Sequence, residues 1–142
     1  MRIIGLDLGS VTCGVALSDA LCMIARPVET IRFHENDNDD ALPRIKELIK
    51  ENDVHLIVLG LPKHMNGDIG ERAKVSMAFK EKLEKETGLR VVLYDERMTT
   101  MVANRVLLEA DVSRKKRKQV VDQLAAVTIL QDFLDSGMSK AA

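Results

Sequence analysis

The chain has 142 residues, of which 46% are apolar and 30% charged, and its formal net charge is −1. That is enough for one domain with a substantial core; no run nears the ~20 apolar residues of a membrane-spanning helix, and no basic-then-apolar leader opens the chain. No membrane-spanning helix is expected, and the net charge gives no hint of a nucleic-acid partner; a single domain over 1–142, located in the cytoplasm, is expected.

Residues 2–8 (RIIGLDL) and 13–18 (CGVALS) read as two strands, with a tight turn at Gly9 and Ser10 between them. Residues 27–33 (PVETIRF) suggest a third, with Pro27 at its start, where proline is tolerated. Short links without an intervening helix favour an antiparallel meander. The period then changes: Ala41, Leu42, Ile45, Leu48 and Ile49 recur at helical spacing. HLIVLG at 55–60 is the short apolar run of a parallel strand buried on both faces. A second helix is expected from about 70 to 87, with Val75, Ala78, Phe79 and Leu83 on its inner side and Gly88 as its C-terminal cap. RVVLY at 90–94 is a fifth strand, and helical stretches near 99–109 and 117–135 follow. The fold class is therefore α/β: a mixed five-stranded sheet, three antiparallel strands then two αβ units, flanked by helices.

Cys13 and Cys22 are too few for a disulfide framework and are expected as buried or half-buried thiols. His34, His55 and His64 lie far apart, so a zinc site is not expected. Charge is spread unevenly. Residues 35–40 (ENDNDD) are acidic, and 114–118 (Arg114, Lys115, Lys116, Arg117, Lys118) are five consecutive cations, which suit either a solvated surface or a phosphate-contacting patch.

Three acids stand where acids are costly. Asp7 follows Ile3 and Gly5 on one face of the first strand, and a buried carboxylate needs a partner or a metal. Hydrogen bonding to the following turn is the structural alternative. Asp95 and Glu96 close the fifth strand, and alternation sends them to opposite faces without saying which meets Asp7. Asp122 falls on the apolar stripe of the last helix with Ala125, Ala126, Ile129 and Phe133, whereas Asp132 and Asp135 read as surface acids. A salt bridge to a buried Arg is the alternative for Asp122. Clustered carboxylates repel one another and raise their own pKa values, and divalent cations relieve this. Oxygen ligands without histidine suit Mg²⁺ or Mn²⁺, one ion or two.

The turn LDLGSVTCGVA also resembles the first phosphate loop of the actin, hexokinase and chaperone ATPases. Those proteins need two such domains, which this length does not accommodate, and no G-x-x-x-x-G-K-[ST] loop is present.

Four stretches in order, GLDLGSVTCGVALSD (5–19), IVLGLPKHMNGDIGERA (57–73), LYDERMTTMVANRVL (93–107) and DQLAAVTILQDFLD (122–135), are similar to the YqgF/RuvX family of Holliday junction resolvase and pre-16S rRNA nuclease proteins. The resemblance implies an RNase H-like fold and a metal-dependent hydrolase of phosphodiester bonds. It implies Asp7, Glu96 and Asp122 as catalytic, metal-binding acids, with Asp95 the second choice. Members commonly carry a basic residue soon after the first glycine, where this chain has Ser10-Val11-Thr12-Cys13, so a contact made there by Lys or Arg is in doubt.

In the matched loops Lys63, His64 and Asn66 stand where they can touch phosphate or sugar, or form a plain turn with Gly67. Arg97, Thr99 and Thr100 follow Glu96 directly. The expected partner is structured RNA such as pre-16S rRNA, or branched DNA, bound by a monomer or homodimer without a membrane. A resolvase needs a two-fold dimer, and the absence of an obvious dimer stripe favours rRNA maturation. A non-cleaving nucleic-acid-binding module is the alternative of another class.

Overall fold

The computed structural model describes residues 2–35, 37–61, 70–95 and 114–136, with the backbone alone over 114–123. Strands β1 (Arg2–Leu8), β2 (Thr12–Ser18) and β3 (Ala25–Arg32) come first. A short 3₁₀ turn, Asn38–Ala41, leads into α1 (Leu42–Glu51), then β4 (Val54–Leu61), α2 (Glu71–Thr87), β5 (Arg90–Asp95) and α3 (Arg114–Asp135). The helix expected near 99–109 lies outside the described residues.

The five strands form one sheet in the order β3-β2-β1-β4-β5. The meander is antiparallel, as its short links require, and β4 and β5 run parallel to β1. The β1–β2 turn closes through Gly9 N–H donating to the Thr12 carbonyl at 2.6 Å. A Cβ at Gly9 would sit 3.1 Å from that same oxygen, so the turn needs a residue without a side chain. Gly88 caps α2 as expected, with φ 72° and its N–H on the Glu84 carbonyl.

Three sequence expectations shift. The third strand starts at Ala25, so Pro27 lies inside it. It is tolerated because β3 is an edge strand and the β2–β3 register slips between Val15 and Ala16, beside Pro27. On α2 the buried side carries Ala73, Ser76, Phe79 and Leu83, while Val75 and Ala78 face outward. The helix turns so that Phe79 and Leu83 reach the core with the small Ala73 and Ser76 beside them, which hydropathy ranking alone does not reveal. Helix α3 begins at Arg114 rather than 117, so the basic run belongs to it.

Strand alternation builds two cores. Ile4, Leu6 and Leu8 of β1 join Val15, Leu17, Ile57 and Leu59 under α1 and α2, where Ile45, Leu48, Phe79 and Leu83 cover them. Ile3, Ala16, Leu56 and Val58 face α3, which supplies Ala126, Ile129, Leu130 and Phe133. Cys13 is buried in the first core and Cys22 is half-buried against the second; both are thiols.

Candidate active site

Asp7 is the last residue of β1 on the α3 face, two positions after Gly5. Its side chain is half-buried, and among the described residues no donor or cation reaches the carboxylate. The turn after β1 is closed by the Gly9 N–H on the Thr12 carbonyl, and no described hydrogen bond joins Asp7 to it.

The surroundings of Asp7 are bare. Gly14 pairs with it across β2. Gly60 of β4 follows Leu56 and Val58 on the same face, level with Tyr94 of β5. Gly5 precedes it along β1. Glycine thus holds the neighbouring positions on both adjacent strands and on its own strand, and leaves space that side chains would fill.

Helix α3 crosses this floor. A Cβ at Gly5 would lie 2.8 Å from Leu130 Cβ and 3.2 Å from the Ala126 carbonyl oxygen, so glycine and alanine set how closely helix and strand approach. The far end is pinned by Gln131, whose Oε1 accepts the Ala25 N–H at 2.8 Å while its Nε2 donates to the Met23 carbonyl at 3.0 Å. Ala25 pairs with Ser18, and Ser18 Oγ accepts the Ile3 N–H at 2.8 Å. Residue 131 therefore sits near the start of β1 and residue 126 near Gly5, so α3 runs back along β1 towards Asp7. Gly5 to Asp7 is about 6.7 Å of strand, and Ala126 to position 122 is about 6 Å of helix. The two steps match, and the backbone of 122 is carried to the Asp7 end of the sheet.

Asp95 lies on the other face. Val91 and Leu93 belong to the α1–α2 core, whereas Val92 and Tyr94 pack on the α3 core. Alternation places Asp95 with Val91 and Leu93, away from Asp7. Burial, then the charges of Asp132 and Asp95, push the Tyr94 hydroxyl above its usual value, so it remains a protonated phenol beside the glycine floor. Asp132 departs from its reading as a surface acid: it is half-buried, and burial followed by the charge of Asp135 raises its carboxyl above the usual carboxylate value.

Glu96, Arg97, Thr99, Thr100, Lys63, His64 and Asn66 lie outside the described residues. Asp122 and the cations Arg114, Lys115, Lys116, Arg117 and Lys118 have described backbones only. No group of three metal-capable side chains forms among the described residues, to which only Asp7 of the expected triad contributes its carboxylate. That carboxylate fits a hard divalent cation: oxygen donors, no partner among the described residues, and an open floor. A concavity of about 510 Å³ lies instead along α1, where Lys46 pairs with Glu86 at 3.4 Å. It contains no group from the Asp7 edge. A smaller cleft of about 200 Å³ adjoins the β1–β2 turn and includes Gly9, Ser10, Phe33 and Arg72. Neither Phe33 nor Arg72 was singled out from the sequence, because nothing in their local pattern distinguishes them. Gly14 and Gly60 did carry a signal, since glycine inside a strand marks a close approach or an opening.

Comparisons with known proteins agree with this architecture. The family described as "RuvX: Holliday junction resolvase" matches residues 1–136. A Listeria monocytogenes protein named "Putative pre-16S rRNA nuclease" is 57% identical over 136 residues, covering 96% of this chain and 99% of its own. A Bacillus subtilis protein of the same name is 53% identical over the same coverage. Among solved structures, T. thermophilus RuvC in complex with Holliday junction substrate is similar with TM-score 0.60 at 15% identity, covering 97% of this chain and 96% of that one. The fowlpox virus Holliday junction resolvase is similar with TM-score 0.58 at 13% identity, covering 96% and 99%. These two likenesses show an RNase H-like fold. With a family match along residues 1–136 and relatives identical at more than half their positions along nearly all its length, this chain belongs to the RuvX family.

Proposed function

We propose that the chain is a divalent-metal-dependent nuclease that acts on structured RNA in the cytoplasm, in processing of the 5′ end of 16S rRNA precursor. The observation that carries this reading is the Asp7 carboxylate, without a partner among the described residues, on a glycine floor at the end towards which α3 runs. The names of the relatives at 53% to 57% identity supply the substrate.

Asp7, Glu96 and Asp122 hold Mg²⁺ or Mn²⁺ in this reading. Asp95 is the weaker candidate, because it shares the face of Val91 and Leu93. Glu96 is taken over Asp95 from the family resemblance. When bound, such a cation supplies an acidified water and neutralises charge on the phosphate oxygens. The chain's own contribution is placement: the close packing at Gly5 and Ala126 and the Gln131 pin hold the helix rigidly relative to β1. Lys63, Asn66, Arg97, Thr99 and Thr100 are assigned to substrate contacts near the cut. Arg114 to Lys118 on α3 add non-specific backbone affinity that weakens with salt.

Holliday junction resolution is the second reading, favoured by the description of the family itself. It requires a two-fold dimer, because two strands must be cut symmetrically. Labelled precursor rRNA ends and a four-way DNA junction, offered in parallel to wild type, Asp7→Asn and Asp122→Asn, separate the readings. RNA cutting that falls by about two to three orders of magnitude in both variants, the scale of losing one preorganised electrostatic group, is the expected result. Cutting that persists in both variants would overturn the three-acid site, and cutting of the junction alone would favour resolution.

A further inference from the structure

The cleft beside the β1–β2 turn is not explained by the three acids. It holds about 200 Å³ and lies on the α2 side of the sheet edge that Asp7 terminates. Arg72, in the first turn of α2, reaches over the edge and donates from Nη2 to the Leu8 carbonyl at 2.9 Å. Leu8 is the residue after Asp7. Arg72 is exposed, and among the described residues no carboxylate pairs with it, so the rest of its donor fork is available. On the other wall is Phe33. Of the three phenylalanines, Phe79 and Phe133 are 0% and 1% exposed, whereas Phe33 is half-buried, packed on the core and still lining the cleft. Its backbone N–H donates to the Val11 carbonyl at 2.9 Å, which fixes it against the turn.

A guanidinium tethered one residue from the proposed cutting site, with an aromatic ring held beside it, is the combination that binds an unpaired nucleotide: phosphate on the cation, base on the ring. Glu35 and Glu71 border the same cleft. They repel a second phosphate and offer acceptors to a base edge, so the space suits one nucleotide rather than a duplex backbone. Gly9 and Ser10, the second and third residues after Asp7, line this cleft.

We infer that the cleft is a subsite for a single unpaired nucleotide next to the scissile phosphate, with Arg72 holding its phosphate and Phe33 its base; this rests on the nuclease reading above. The subsite would direct cutting to junctions between paired and unpaired RNA.

The test uses the full chain carrying Asp7→Asn, labelled with fluorophenylalanine and titrated with a short single-stranded RNA or a blunt RNA duplex of the same sequence. The Phe33 fluorine resonance is expected to move with the single strand and not with the duplex, while those of the buried Phe79 and Phe133 stay in place. Phe33→Leu should weaken single-strand binding by roughly 5- to 150-fold, the range of one lost base–aromatic contact, and Arg72→Ala should weaken it through the lost phosphate contact. Phe33→Tyr should preserve it. Arg72→Ala should also flatten the salt dependence by about one phosphate contact. An unmoved Phe33 resonance, or wild-type single-strand affinity in both Phe33→Leu and Arg72→Ala, overturns the subsite. If wild type cuts precursor rRNA in that case, the nuclease reading stands without it; absence of cutting on any nucleic acid removes the reading itself.

Discussion

The two faces of the sheet follow the same alternation and are built in opposite ways. Towards α1 and α2, β1 offers Ile4, Leu6 and Leu8, and Phe79 and Leu83 close over them. Towards α3, β1 offers Ile3, Gly5 and Asp7, β2 offers Gly14, and the helix answers with Ala126 against Gly5. The first face is thick and apolar, and its contribution is stability. The second thins towards the carboxyl end of β1, where burial is given up for close backbone approach and open space. One strand can serve both purposes because a period of two separates its side chains completely.

The largest expected break in this comparison comes from the thick face. Phe79→Ala removes a fully buried ring and should cost about 3–5 kcal/mol in denaturant unfolding. Turnover per folded molecule should be unchanged; a parallel loss of turnover would show that the two faces are not independent. A smaller change on the thin face should act differently. Gly5→Ala places a methyl group 2.8 Å from Leu130 Cβ, and overpacking of this kind costs about 1–3 kcal/mol. Because the strain moves α3 relative to Asp7, cutting by the folded variant should fall, and retention of full activity would separate the helix seat from the chemistry.

The smallest effect is a pH dependence. Burial, with Asp135 beside it, raises the Asp132 carboxyl in the folded chain. A raised carboxyl means that the folded chain holds this proton more tightly than the unfolded one, so the site costs nothing below the ordinary carboxylate value. Its cost appears as pH rises from that value through the shifted one. Asp132→Asn should therefore raise Tm slightly at neutral pH and leave it unchanged in acid. A gain of the same size in acid would assign the effect to packing instead.

The kinds and order of elements were legible in the sequence because their signals are local. RIIGLDL and HLIVLG carry strand patterns, Leu42, Ile45 and Leu48 carry a helical one, and Gly88 marks a helix end through its own backbone freedom. The acid on the first strand was legible for the same reason, since a carboxylate breaks an apolar alternation wherever it stands. The inner face of α2 was misjudged, because Val75 outranks Ser76 in hydropathy while helix rotation is set by what Phe79 and Leu83 must reach.

By itself, then, the sequence determined the succession of strands and helices, the meander at its start and the oddity of Asp7. Only the tertiary structure decided that β4 lies beside β1, that Asp95 turns away from Asp7, that three glycines surround that acid, and that Arg72 meets the Leu8 carbonyl from 64 residues away. Hydrophobic periodicity reports which side of an element is buried. It says nothing about which distant element buries it, and the site is made entirely from such meetings.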